Sequence, residues 1–141
     1  MTAKVLSLDA DKMLTDVLND TTLQAQIVDL NQSQLYDKGV QTDGSPTGSY
    51  HPITIAYKIA HGDARGVPGR TDHITGLDTG RTYASMQVVN IPAGFTVEAE
   101  DRNHFFDREP TGLGLTEESI AEIIPAIRDG LLERTRNEIF A

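Results

Sequence analysis

The chain has 141 residues, 38% hydrophobic and 23% charged, with a net charge of −9. That is one ordinary domain, which can bury roughly 70% of its unfolded surface, in an aliphatic core since there is no Trp and only four Phe and four Tyr. The acid excess argues against a phosphate-binding surface, and the lack of Cys excludes disulfides, thiolate nucleophiles and Cys-based zinc sites.

From the N-terminus, residues 1–12 lack the long apolar region of a signal peptide. No later segment approaches the roughly 20 apolar residues that span a bilayer. A cytosolic protein, or one assembled in the cytosol into something larger, is expected. Met13, Leu14, Val17 and Leu18 share one face at helical spacing, with Asp9 as N-cap. Leu23, Ile27, Leu30 and Leu35 continue the pattern, with Thr21 or Thr22 as a second cap. This predicts a helix pair, or one helix broken near residue 20, ending at Lys38-Gly39.

Residues 39–76 hold seven of the twelve Gly, which marks a flexible arm at about 40–76. Inside it Ile53, Ile55, Tyr57 and Ile59 alternate with Thr54, Ala56 and Lys58, the period of a strand. Asp78-Thr79-Gly80 offers a cap for a short helix over Arg81–Ser85. Met86–Ile91, the turn Pro92-Ala93-Gly94 and Phe95–Ala99 read as a hairpin, with Val89, Ile91, Phe95 and Val97 among its core candidates. Thr116, followed by Glu117 and Glu118, caps a last helix with the stripe Ile120, Ile124, Ile127 and Leu131, broadened by Ile123. Pro125 falls inside it and should kink or restart it. The fold class is α+β: helices at both ends, a long extended arm, a short helix and an antiparallel hairpin, all in one domain over residues 1–141.

Residues suited to chemistry are sparse. His51, His61, His73 and His104, with Asp63 and Asp72, could in principle ligate a metal. Their spacing does not enforce convergence as HExxH on a helix does. Glu98 and Glu100 fit a solvated strand face, and Glu117 and Glu118 fit a helix N-terminus. The Gly-rich 62–70 stretch lacks the Lys-Ser/Thr ending of a phosphate loop. No catalytic residue and no cofactor is expected.

Three stretches resemble the tailed-bacteriophage virion-morphogenesis or tail-completion family, which includes head-tail neck proteins. They are Tyr50-His51-Pro52-Ile53-Thr54, Leu77 through Met86 with its central Thr79-Gly80, and Gly112-Leu113-Gly114-Leu115-Thr116-Glu117-Glu118. Their order fits too, over residues 30–140. The resemblance implies a structural, non-enzymatic virion protein, assembled in the host cytoplasm. It would form a ring with copies of itself and contact portal, connector or tail proteins, not nucleic acid by sequence and not membrane. The implied subunit or partner interface is Tyr50, Ile53, Ile55, Tyr57 and Ile59, adding a strand to a neighbour; these residues serve equally as a strand of the domain's own sheet. The competing reading is a metal-dependent hydrolase or nuclease using His61, Asp63, Asp72 and His73 of the loop 61–73.

Overall fold

The computed structural model describes residues 9–92 and 94–140. The leader reading over residues 1–8 and the turn residue Ala93 lie outside them. Two N-terminal helices form where the apolar spacing predicts. α1 spans Ala10–Leu18 and begins where the Asp9 carboxylate accepts the Lys12 N–H at 3.0 Å. α2 spans Thr21–Ser33, and its cap is Asp20, not Thr21 or Thr22: the carboxylate accepts from Thr22 and Leu23. A π-type turn, Gln34–Lys38, prolongs α2 and stops at Gly39, whose φ of 62° is left-handed. A Cβ there would also lie 2.6 Å from the His73 ring, so the position requires glycine twice over.

The predicted strand at Ile53–Ile59 is a helix. α3 runs from Pro52 to His61, with Pro52 in its first turn and the His51 Nδ1 accepting from the Ile53 N–H at 3.2 Å. Proline presets the helical φ, and the cap satisfies one of the orphan donors of the first turn. This helix closes its own backbone bonds, whereas a strand here would need a partner strand. The alternation of isoleucines is therefore overridden by the signals that start the helix.

After the short α4 (Arg81–Ala84), β1 (Gln87–Ile91) pairs antiparallel with β2 (Gly94–Glu98). Val88 stands opposite Val97 and Asn90 opposite Phe95, which puts Val88, Phe95 and Val97 on the face toward the core. Val89 and Ile91 belong to the other face by the pleat, and Ile91 is exposed, so two of the four predicted hairpin core residues are misplaced. A single turn, α5 (Phe105–Arg108), follows. α6 (Glu117–Phe140) then runs unbroken through Pro125. Its inward row is Ser119, Ile123, Ile127 and Leu131, while Ile120 and Ile124 are 40% and 43% exposed. The true stripe is rotated from the predicted one because Ser119, a small polar residue, fills an inward position.

α1 lies antiparallel on α6, Met13 facing Thr135 and Val17 facing Gly130. A Cβ at Gly130 would come within 3.1 Å of both Val17 methyls, so this glycine sets the closeness of the two helices. The core that results is small, with Leu18, Ile27, Leu35 and Ile123 almost fully enclosed.

Side-chain amides supply what apolar packing does not. Asn31 donates to Gly112 O at 2.9 Å and accepts from Gly114 N at 2.8 Å. Gln34 donates to Gly114 O and accepts from Thr116 N, both at 2.9 Å. Gln41 accepts from Thr111 N at 3.1 Å. Three amides thus pair with the backbone of residues 111–116 as a neighbouring strand would. An Asn31→Ala variant orphans the buried Gly112 carbonyl and the half-buried Gly114 N–H at roughly 1–3 kcal/mol each, so urea unfolding should show a loss of about 2–6 kcal/mol; Asn31→Gln should recover little of it.

Candidate interaction surface

α3 is an inside-out helix. Its one buried residue is Lys58, 4% exposed, whereas Ile53, Tyr57 and Ile59 are 75%, 51% and 55% exposed. Ile53, Ala56, Tyr57 and Ala60 follow helical neighbour spacing on the outward side. Val67, in the loop after α3, is exposed as well. Of the five residues anticipated as an interface, three are therefore presented to solvent. Ile55 is half-buried, and Tyr50 is half-buried with a supporting role.

That support is polar. The Lys58 ammonium donates to Leu77 O at 2.7 Å and lies 4.9 Å from the centre of the Tyr50 ring. Thr75, fully buried, is the junction beneath: its N–H donates to the Tyr50 hydroxyl at 2.9 Å, its Oγ1 accepts from Leu77 N at 3.0 Å, and its carbonyl accepts from the Tyr83 hydroxyl. A buried ammonium is tolerated because a carbonyl and an aromatic face replace part of its hydration. Burial pushes the Tyr83 hydroxyl well above the usual tyrosine range, and nearby Arg65 offsets only part of that.

The loop after α3 folds back on α2 through charge. Asp63 accepts backbone N–H groups from Arg65 at 2.8 Å, Arg70 at 3.1 Å and Gly66 at 3.2 Å. Burial works against its ionisation, yet these donors outweigh it and hold the carboxyl below the ordinary range. The Arg65 guanidinium stacks 4.4 Å from the Tyr36 ring centre. Arg70 forks onto Asp72 at 2.8 and 3.1 Å, and that hydrogen-bonded fork holds the Asp72 carboxyl at about 2. His73 Nε2 donates to the carbonyls of Leu35 and Tyr36.

The structure thus places the His and Asp residues of the loop in separate tasks. His61 is exposed and stacks on Tyr57 at 4.4 Å, Asp63 organises the turn, Asp72 holds Arg70, and His73 ties the loop to the end of α2. His51 caps α3, and His104 sits beside Asp107 at 3.1 Å. Among the described residues, no three His, Asp or Glu side chains come together as a metal-holding group. A cleft of about 170 Å³ opens beneath α3, lined by Tyr50, Lys58, Ile74, Leu77 and Phe105 among others.

Sequence reasoning passed over Lys58 and Thr75. The available signal was helical phase: once Pro52 starts a helix, Lys58 falls opposite the Ile53–Tyr57 side. Two outcomes test the support. Lys58→Met strips Leu77 O of its donor and should cost about 1–3 kcal/mol in chemical denaturation, despite the added apolar character. The raised Tyr83 hydroxyl contributes stability that is complete below an unfolded-chain value of about 10 and is lost as pH rises through the higher folded value. Melting temperatures should therefore fall on the alkaline side of pH 10, and less steeply in Tyr83→Phe.

No protein-family model matches the chain, and comparison with curated proteins and with solved structures finds none similar to it.

Proposed function

We propose that the chain is a structural subunit of the head-tail neck of a tailed phage, forming a ring with copies of itself and joining portal or connector to tail. The observation that carries this is the inside-out α3, whose Ile53, Tyr57 and Ile59 face solvent above a buried, hydrogen-bonded lysine. Ile53 and Tyr57 lie one helical turn apart on one side of a helix anchored from the other, and apolar side chains grouped in this way are what a subunit covers in an assembly. Two of the stretches that resemble the neck family also meet there, since Tyr50 is tied through Thr75 to Leu77 and Tyr83. In this reading the interface is helical, the chain catalyses no reaction and it holds no cofactor. Its partners are copies of itself and the other neck, portal or tail proteins. It takes its place in the virion after synthesis in the host cytoplasm. No helix among the described residues is long and apolar enough to cross a membrane.

Quantitative mass spectrometry of density-purified particles from the source of this chain tests the reading directly. A low, fixed copy number per particle is expected, and complete absence from particles would overturn it. A triple variant, Ile53→Ser with Tyr57→Ser and Ile59→Ser, should keep its fold, each exposed substitution changing stability by about 0.5 kcal/mol or less. It should nevertheless yield particles in which heads and tails remain unjoined under the electron microscope.

A further inference from the structure

The exposed side of α3 has a counterpart elsewhere on the same molecule. Between β2 and the start of α6 runs a groove of about 520 Å³, lined by Phe95, Val97, Leu113, Leu115 and Ile120. It is mostly apolar, and its volume falls within the ~300–1,000 Å³ of ligand-binding clefts. Its floor from Gly94 to Val97 is about 10 Å long by strand rise. The outward row of α3 from Ile53 to Ala60 is likewise about 10 Å long by helix rise.

Charge matches as well. Exposed acids stand next in sequence to the groove's lining residues: Asp43 beside Thr42, and Glu117 and Glu118 ahead of Ile120. Lys38 reaches Glu118 at 3.2 Å and neutralises part of that rim. The α3 side carries no acid from Tyr50 to Gly62, in a chain with 21 acids, and the loop behind it presents Arg65. Asp63 is turned inward onto backbone N–H groups, and Asp72 is held by Arg70.

We infer that the occupant of this groove is α3 of a second copy of the chain, seated with Ile53 and Tyr57 toward Phe95, Leu113 and Ile120. The inference rests on the ring reading above and names the receiving surface. Two different patches meeting head-to-tail make a heterologous contact, which closes into a ring or continues as a filament according to its rotation. An isologous dimer would instead pair like patches.

Complementing variants separate these cases. Ile53→Glu with Tyr57→Glu spoils the helix patch, and Ile120→Glu spoils the groove; circular dichroism and thermal melts check that both variants stay folded. In sedimentation velocity over a broad concentration range, the wild-type chain should associate beyond a dimer. Each variant alone should be monomeric, and an equimolar mixture should recover a species of twice the monomer mass and nothing larger. A wild-type chain that stays monomeric, a mixture that stays monomeric, or an Ile120→Glu variant that assembles like wild type would each overturn the inference. Detection of the chain in particles is a separate readout. A chain present in particles yet unable to associate with itself would sink this groove assignment and the self-made ring, and leave standing its place as a structural virion subunit.

Discussion

Two amide side chains, Asn31 and Gln34, hold the fold closed. They lie 81 and 80 residues in sequence from the carbonyls that they bond, and they join the end of the N-terminal helix pair to the chain that leads into α6. The apolar core is too small to fix that approach by itself. An amide, which donates and accepts at once, can grip an irregular segment at successive residues without requiring a strand beside it. Where the amides end, Thr116 takes over as the cap of α6, so register is transmitted from α2 to the longest helix of the molecule. Burial raises the stakes of each bond, because an unpaired amide in that position has no water to turn to.

The same economy of apolar material governs α3. A helix with three exposed large apolar side chains would ordinarily turn them inward. Here the inward position is taken by Lys58, whose stem fills space while its ammonium finds Leu77 O. The helix is positioned by polar contacts to Thr75 and its neighbours, and its hydrophobic residues remain available. Anchoring and presentation are thus assigned to different residue types on opposite sides of ten residues of chain.

The start of α1, the stop at Gly39, the start of α6, the existence of the hairpin and the α+β class were legible because they rest on local chemistry: Asp9, Gly39, Thr116 and the alternation around Val97. The strand reading of residues 53–59 failed because period-two spacing and a ten-residue helix that is wet on most of its circumference leave similar traces. Pro52 and His51, which start the helix, carry the decisive information. Asn31 and Gln34 were hidden for a different reason. They continue the inward spacing of Leu23 and Ile27, but as polar residues they were passed over in favour of Leu30, which is only half-buried. A polar residue in an apolar phase points to a backbone partner that lies far away in sequence, and periodicity carries no information about where that partner is. The residues expected at an interface were singled out for their hydrophobicity; the exposure of Ile53, Tyr57 and Ile59 goes with the inward Lys58, which helical phase places opposite once Pro52 is read as a helix start.

The single inward attachment of α3 has a consequence for how the protein can diverge. Folding depends on Lys58, Tyr50 and Thr75, whereas the outward side chains touch little of their own molecule. Substitutions at positions 53, 56, 57 and 60 can therefore change the exposed surface of the helix while the body of the protein is left undisturbed. The outward surface and the fold are written in separate residues, so the one can drift without the other having to be solved again.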